Sequence, residues 1–468
     1  MALKELAMLK RKIDAVLENW LHNEKNPLLI TGARQIGKTF SISHFAEKNF
    51  KYVVSINFGE RNDLIDSFAR LKNSDDLLVK LSMVNGGDMH EGKTLIFLDE
   101  IQLVYQRREE IAKTESVLLY QDIISAMKKM CMDQKYRFIL SGSLLGVTLN
   151  NVILGPLGYL DVIEMYPLDF EEYLWAKGVG GESISYLKQC FEEKKEVDPS
   201  INRYFLDAFR EYVLIGGMPA AVNMFCESKN VKRVNDIQKQ ISSYYVADIL
   251  KYVKDERRKL RIKEIYNAIP SEVNSKNKRF MSSHVLERDY LRSHDVKDDF
   301  VWLANAAVAL PVYNVKEPIS PLISAEDRKT MKLFLNDAGL LTSALMQTGT
   351  REKLLSGETE INFGAPYENV VAQELAAHGF REKLFYYNSK KHGEVDFLIE
   401  VKGNALPIEI KSGKSNEMRC YNHTALNNLL KLYDYDEAFL FGEGNVIKEN
   451  EKVTEFPIYM IDFVCSDE

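Results

Sequence analysis

At 468 residues with 46% apolar side chains, the chain can fill three or four cores of about 100–200 residues each, and a formal charge of −7 excludes a polycation that coats nucleic acid along its whole length. Five scattered cysteines (Cys131, Cys190, Cys226, Cys420, Cys465) form no C-x-x-C pair and eight dispersed histidines show no zinc spacing, the usage of a reduced cytoplasmic protein without a structural metal. No apolar run approaches the ~18 residues needed to cross a bilayer, so no membrane contact is expected.

Met1–Arg11 carries charges throughout and reads as an amphipathic helix, not a signal peptide. Pro27–Thr31 reads as a short buried strand. It enters Gly32-Ala33-Arg34-Gln35-Ile36-Gly37-Lys38-Thr39, a full match to G-x-x-x-x-G-K-[ST]. Gly32 and Gly37 let the backbone turn its N–H groups around a phosphate. Lys38 supplies a cation to the β- and γ-phosphates, and the Thr39 hydroxyl is a Mg²⁺ ligand. Phe40 then opens a stretch with Ile42, Phe45 and Ala46 at helix-face spacing. The helix N-terminus directs its partial positive charge at the phosphates.

Tyr52–Phe58 is a further strand. Thr94–Asp99 is a continuous apolar run that ends in Asp99-Glu100, the pattern of a buried parallel strand whose C-terminal end faces a ligand. Asp99 is placed in the Mg²⁺ shell, and Glu100 is the carboxylate that polarises an attacking water. Arg137–Leu140 is another strand, ending in Ser141-Gly142-Ser143. Ser141 could sense the γ-phosphate or orient the water; the same tripeptide is also an ordinary loop. Strands alternating with helical stretches over residues 27 to 165 describe a parallel sheet with helices on both faces.

The phosphate loop, Leu-Asp-Glu-Ile-Gln (98–102), Leu-Ser-Gly-Ser (140–143) and Tyr-Pro-Leu-Asp-Phe-Glu-Glu-Tyr-Leu-Trp-Ala (166–176) together resemble the prokaryotic AAA+-type ATPases fused to a C-terminal domain of uncharacterised function. The likeness continues through Ile-Gly-Gly-Met-Pro-Ala-Ala-Val (215–222), Asp-Ile-Leu-Lys-Tyr (248–252), Ile-Pro-Ser-Glu-Val (269–273) and Asn-Asp-Ala-Gly-Leu-Leu (336–341). The resemblance implies ATP and Mg²⁺ as cofactors and ATP hydrolysis; it also suggests assembly with further copies of the chain, with a monomer as the alternative. Members often carry Arg or Lys just before the Tyr-Pro-Leu segment. This chain has Gly155-Pro-Leu-Gly-Tyr159 there, so no arginine finger is assigned.

Residues 177–255 look helical, with Phe205, Phe209, Tyr212 and Val213 on one face and a stop at Gly216-Gly217. The resemblance makes them a helical lid and makes 256–345 a winged-helix-like domain. Residues 251–280 hold ten Lys and Arg against four Asp and Glu. That balance suits either a phosphate-contacting surface or a solvated helix face.

In the C-terminal third, two strands flank the Lys402-Gly403-Asn404 turn. Residues 396 and 409 are equidistant from it, so Asp396 and Glu409 should face each other, with Lys411 on the same face as Glu409. Opposed carboxylates repel, and a divalent cation between them would remove the cost. The alternative is a hairpin with one polar, solvated face. Asp396 and Glu409-x-Lys411, with Glu368 upstream on a helix at 366–375, resemble the PD-(D/E)XK nuclease core. The resemblance makes Glu368, Asp396 and Glu409 metal ligands and Lys411 a catalytic cation.

The expected architecture is therefore α/β. An AAA+-like P-loop NTPase core with a parallel sheet (1–176) precedes the helical lid (177–255), the winged-helix-like domain (256–345) and a PD-(D/E)XK nuclease-like α/β domain (346–468). The expected function is ATP binding and hydrolysis coupled to Mg²⁺-dependent action on DNA. The alternative is a regulatory ATP-binding switch whose nuclease-like domain is inactive and only grips a partner or DNA.

Overall fold

The structure is a computed structural model and describes residues 8–87, 89–114, 120–143, 160–275, 293–358, 363–412 and 424–465. The Gly155–Tyr159 stretch, Cys420 and the basic residues 276, 278 and 279 lie outside the described residues. The chain forms two compact units, one of Lys10–Tyr166 with Asn305–Ala307, the other chiefly of Pro167–Ala304 and Val308–Glu468.

In the first unit five parallel strands pair in the order β2-β3-β4-β1-β5: β1 (Leu28–Thr31), β2 (Tyr52–Asn57), β3 (Thr94–Asp99), β4 (Arg137–Ser141) and β5 (Asp161–Glu164). All six residues of β3 are buried, which is why its sequence is apolar without alternation. Helices α1 (Lys12–Asn23) and α2 (Lys38–Asn49) pack together through the Trp20 and Phe45 rings, 6.3 Å apart. Of the expected N-terminal helix, residues 1–7 lie outside the described residues and residues 8–11 are not helical; α1 starts at Lys12. The reason is Arg11. Its guanidinium is buried and donates to the Ile36 carbonyl at 3.0 Å and the Tyr166 carbonyl at 2.8 Å, so the chain extends there to brace the back of the phosphate loop.

After the helix Phe170–Ala176, the second unit continues with helices Gly181–Glu192, Pro199–Ile215, Pro219–Ser228 and Val231–Tyr252, the helical stretch expected from the sequence. Its sheet has eight strands in the order β12-β13-β11-β10-β9-β8-β6-β7. They are β6 (Ala309–Val315), β7 (Glu326–Leu335), β8 (Phe385–Ser389), β9 (Gly393–Val401), β10 (Asn404–Ile410), β11 (Ala438–Gly442), β12 (Ile447–Lys448) and β13 (Val453–Pro457).

This partition differs from the expected one. A winged-helix-like domain at 256–345 would own its strands, but β6 pairs with β7 on one side and in parallel with β8 on the other. Four of the seven β6 residues are buried, and β6 pairs with β7 along its length and with β8 through Tyr313–Val315. The expected boundary at 345/346 thus falls within one compact unit. β9 and β10 form the expected hairpin, and their two-residue turn uses positive φ at Lys402 (51°) and Gly403 (77°), the geometry that suits strand twist.

Two of the segments quoted above meet in this unit. Asp337 caps the helix Ala338–Leu345 and accepts from the Gly217 N–H at 2.6 Å and the Leu340 N–H at 2.9 Å. The backbones approach so closely that a Cβ on Gly217 would meet the Leu168 carbonyl oxygen at 2.0 Å, and one on Gly339 the Ile215 carbonyl oxygen at 2.4 Å. Both obstacles are main chain and cannot rotate away. Gly217→Ala should therefore destabilise the chain by about 1–3 kcal/mol, the usual cost of overpacking, read as a lower denaturant midpoint. A midpoint equal to wild type would show that the contact relaxes freely.

Candidate functional site

β1 delivers the chain into the loop, and α2 leaves from it. Gly32 (φ 127°) and Gly37 (φ 96°) take conformations open to glycine, and a Cβ at Gly32 would lie 2.2 Å from the Met165 carbonyl oxygen. Arg34, Gln35, Thr39 and Phe40 are exposed, while Ala33, Ile36 and Lys38 are buried. The Lys38 ammonium donates to the loop's own carbonyls, Gly32 at 2.9 Å and Ala33 at 2.6 Å. Burial pushes its pKa down to about 8, against the opposing pull of the Glu100 and Asp99 carboxylates.

Asp99, buried at the end of β3, is held by four donors. Its Oδ2 accepts from the Thr39 hydroxyl at 2.7 Å and the Asn57 amide at 3.2 Å. Its Oδ1 accepts from the Glu100 N–H at 3.0 Å and from the Ser141 hydroxyl. β4 lies between β1 and β3, so Ser141 at its end stands beside Asp99 rather than free above the loop. The Thr39 hydroxyl and Asp99 carboxylate form the hard oxygen pair that suits Mg²⁺. These residues fit the ion, which would neutralise phosphate charge when bound.

Glu100 sits at φ 56°, a left-handed position uncommon for a side chain of this size. Its Oε2 accepts from the Gln102 amide and, at 3.2 Å, from the Ser143 hydroxyl. Asn57, Gln102 and Ser143 were not among the residues read as site residues. Asn57 was findable, since its strand pairs in register with β3 and sets it opposite Asp99. Gln102 lay inside the quoted Leu-Asp-Glu-Ile-Gln segment.

In the second unit Glu368 and Asp396 meet at one ammonium, with Glu409 on the neighbouring strand β10 and Lys411 just after it. The β9–β10 register pairs Ile408 with Phe397, so Glu409 follows opposite Asp396, and Asp396 Oδ2 accepts from the Ile410 N–H at 2.9 Å. The Lys411 ammonium pairs with Glu409. Two further residues join that sequence reasoning missed, Glu394 and Lys332. The Lys332 ammonium, fully buried, lies 2.7 Å from Glu394 Oε1, 3.6 Å from Glu368 Oε2 and 3.9 Å from Asp396 Oδ1. Burial disfavours its charge, yet the carboxylates of Glu368, Glu394 and Asp396 together hold its pKa above the usual lysine range. The signal for it was a lone cation in the apolar run Met331-Lys-Leu-Phe-Leu335.

A third cluster joins residues far apart in sequence. Asp169 Oδ2 and Asp462 Oδ1 each lie 3.5 Å from His378 Nε2. Neighbouring Glu374 is buried and accepts from the Tyr212 hydroxyl at 2.7 Å; burial, then the negative charge of Asp462 and Asp169, push its pKa well up.

Of the locally basic stretch, Arg258 and Arg261 converge on the buried Asp299 carboxylate, and Lys259 pairs with Glu256 at 2.6 Å. Lys251, Lys254 and Arg257 face solvent.

Residues 24–174 match the family model of an AAA domain. The chain carries an AAA-type P-loop domain. Beyond it, residues 206–351 and 363–461 match two domains of unknown function (DUF8612 and DUF4143). Uncharacterized proteins of Mycobacterium tuberculosis and Mycobacterium bovis are each 30% identical over 89 residues, and the match covers 19% of this chain and 19% of theirs. Among solved structures, a Walker-type ATPase of Pyrococcus abyssi aligns over 73% of this chain and 97% of its own, at 15% identity and TM-score 0.40. The Aeropyrum pernix ORC2 protein (ADPNP–ADP complexes) aligns over 74% of this chain and 91% of its own, at 8% identity and TM-score 0.34. Both scores are below 0.5, so nothing about ligand or partner transfers from these folds. Among the described residues, no helix is long and apolar enough to cross a membrane.

The lowered Lys38 pKa gives the AAA domain a pH signature. If the charged form is the one that holds phosphate, nucleotide affinity should fall as pH rises through about 8, by about tenfold one unit above it. Bound phosphate favours the ammonium, so binding above that pH takes up a proton. Calorimetry in two buffers of different ionisation heat checks this; equal apparent enthalpies at pH ~9 would refute it.

Proposed function

We propose that the AAA domain binds and hydrolyses ATP and that the hydrolysis cycle switches the state of the second unit. The observation that carries the reading is the paired carboxylate geometry at the end of β3. Asp99 touches Thr39 beside the phosphate loop, while Glu100, steadied by Gln102 and Ser143, sets its charge close enough to act on Lys38.

In this reading the loop N–H groups and Lys38 hold the phosphates, with Lys38 exchanging the Gly32 and Ala33 carbonyls for phosphate oxygens. Thr39 and Asp99 would hold Mg²⁺. Glu100 accepts a proton from water as the water oxygen bonds to the γ-phosphorus. The bond from that phosphorus to the β–γ bridging oxygen breaks, leaving ADP and phosphate. Ser141 positions Asp99, and Ser143 positions Glu100.

For the second unit, one reading is action on DNA with Mg²⁺ through Glu368, Asp396, Glu409 and Lys411. The other is a unit that grips DNA or a protein partner without cleaving it. Lys332 favours the second, because a buried lysine already answers the charge of the carboxylates that would hold the metal.

Lys38→Ala should abolish ATP turnover. Glu100→Gln should keep ATP binding and lower turnover by about 10²–10⁴-fold, the span of general-base catalysis. Phosphate release and nucleotide-binding assays on the two variants decide it; turnover undiminished in Glu100→Gln would sink the assignment. Incubation of the wild type with DNA and Mg²⁺ should give no Lys411-dependent cleavage.

A further inference from the structure

We propose that Lys332 is a built-in substitute for a divalent cation, so that the carboxylate cluster of the second unit takes no Mg²⁺ or Mn²⁺. The inference deepens the grip-without-cleavage reading but stands on its own geometry and is independent of ATP turnover.

Three carboxylates from two elements surround one ammonium. Glu394 and Asp396 come from β9, and Glu368 from the helix Gly364–Leu375. Their oxygens lie 2.7, 3.9 and 3.6 Å from Lys332 Nζ. Those are residue types that often ligate metal, yet the ion they surround is a side-chain cation. A divalent ion binds carboxylate oxygens at about 2.0–2.6 Å. An ion at that distance from these oxygens would stand within a few ångströms of Nζ, and two cations so close in a low-dielectric interior repel strongly. One must leave.

Lys332 is poorly placed to be the one that leaves. It pairs with Val312 across β6 and β7, its side chain is fully buried, and its ammonium also lies 5.0 Å from the centre of the Tyr386 ring. Withdrawing it would strand three carboxylates, the costly half of breaking a buried ion pair. The other members are already occupied with each other or with backbone: Glu409 pairs with Lys411, Asp396 accepts from the Ile410 N–H, and Glu394 accepts from the Asn388 amide. The residues therefore do not fit the metal that the nuclease resemblance implies.

The test is Mn²⁺ binding by the nucleotide-free full-length chain, followed by electron paramagnetic resonance. A Thr39→Val background removes the phosphate-loop contribution. Wild-type Lys332 should show no Mn²⁺ site that Asp396→Asn removes. Lys332→Met should gain one such site, lost again on adding Glu368→Gln, and its melting temperature should rise with Mn²⁺ while that of the Lys332 form does not. A Mn²⁺ site in the Lys332 form that Asp396→Asn abolishes would overturn the proposal, as would a folded Lys332→Met chain that gains none. Should Lys332→Met fail to fold, the Lys332 and Asp396→Asn pair decides alone. Cleavage assays test the grip reading and metal binding tests this inference, so each can fail without the other.

Discussion

An ionised carboxylate removed from water has to be matched by cations or hydrogen-bond donors, and this demand organises both candidate sites. In the AAA domain the demand is met by donors. Asp99 is buried and takes hydrogen bonds from Thr39, Asn57, Ser141 and the Glu100 backbone. Those four come from α2, β2, β4 and the residue after β3, so one carboxylate ties the phosphate-loop helix to three neighbouring strands. The same arrangement presets the loop: Thr39 is already aimed at its acidic partner, and Lys38 is already folded back over Gly32 and Ala33.

The second unit meets the demand with a cation. Its central helix, Gly364–Leu375, is buried along nearly its whole length and carries Glu368, Asn369, Gln373 and Glu374 into the interior. Each has a specific answer. Asn369 bonds both backbone groups of Leu335, Gln373 accepts from the Ala338 N–H, Glu374 takes the Tyr212 hydroxyl, and Glu368 faces Lys332. Polar networks of this kind specify one packing, because any other leaves a buried group unmet. β7 is consequently bound to that helix at Leu335 as well as at Lys332, which explains why β6 and β7 belong to the large sheet.

The difference between the two sites bears on what they can exchange. The donors around Asp99 are hydroxyls, an amide and a backbone N–H, neutral groups that can coexist with an incoming cation. Lys332 is itself a cation and cannot. Similar acidic motifs therefore lead to different chemistry, decided by whether the neighbour is a dipole or a charge.

Much of the first unit was legible in sequence. A G-x-x-x-x-G-K-T loop constrains its own backbone through two glycines, a fully buried strand has to be apolar at every position, and both signals are local. The β9–β10 register was legible for the same reason, since a two-residue turn fixes which residues oppose each other. What the sequence could not supply was any partner brought from a distance. Lys332 precedes Glu368 by 36 positions, and nothing local says that β7 borders the sheet that carries Asp396. Ser141 could be placed at the end of a strand, but its attachment to Asp99 depends on β4 inserting between β1 and β3. Arg11 read as part of a helix until its carbonyl partners, Ile36 and Tyr166, were in place. By itself, then, the sequence determined the elements, the phosphate loop and the carboxylate pair of the hairpin, because backbone geometry and burial period act over a few residues. Tertiary structure alone decided which charges stand together, because strand order and buried pairing join segments that the chain keeps far apart.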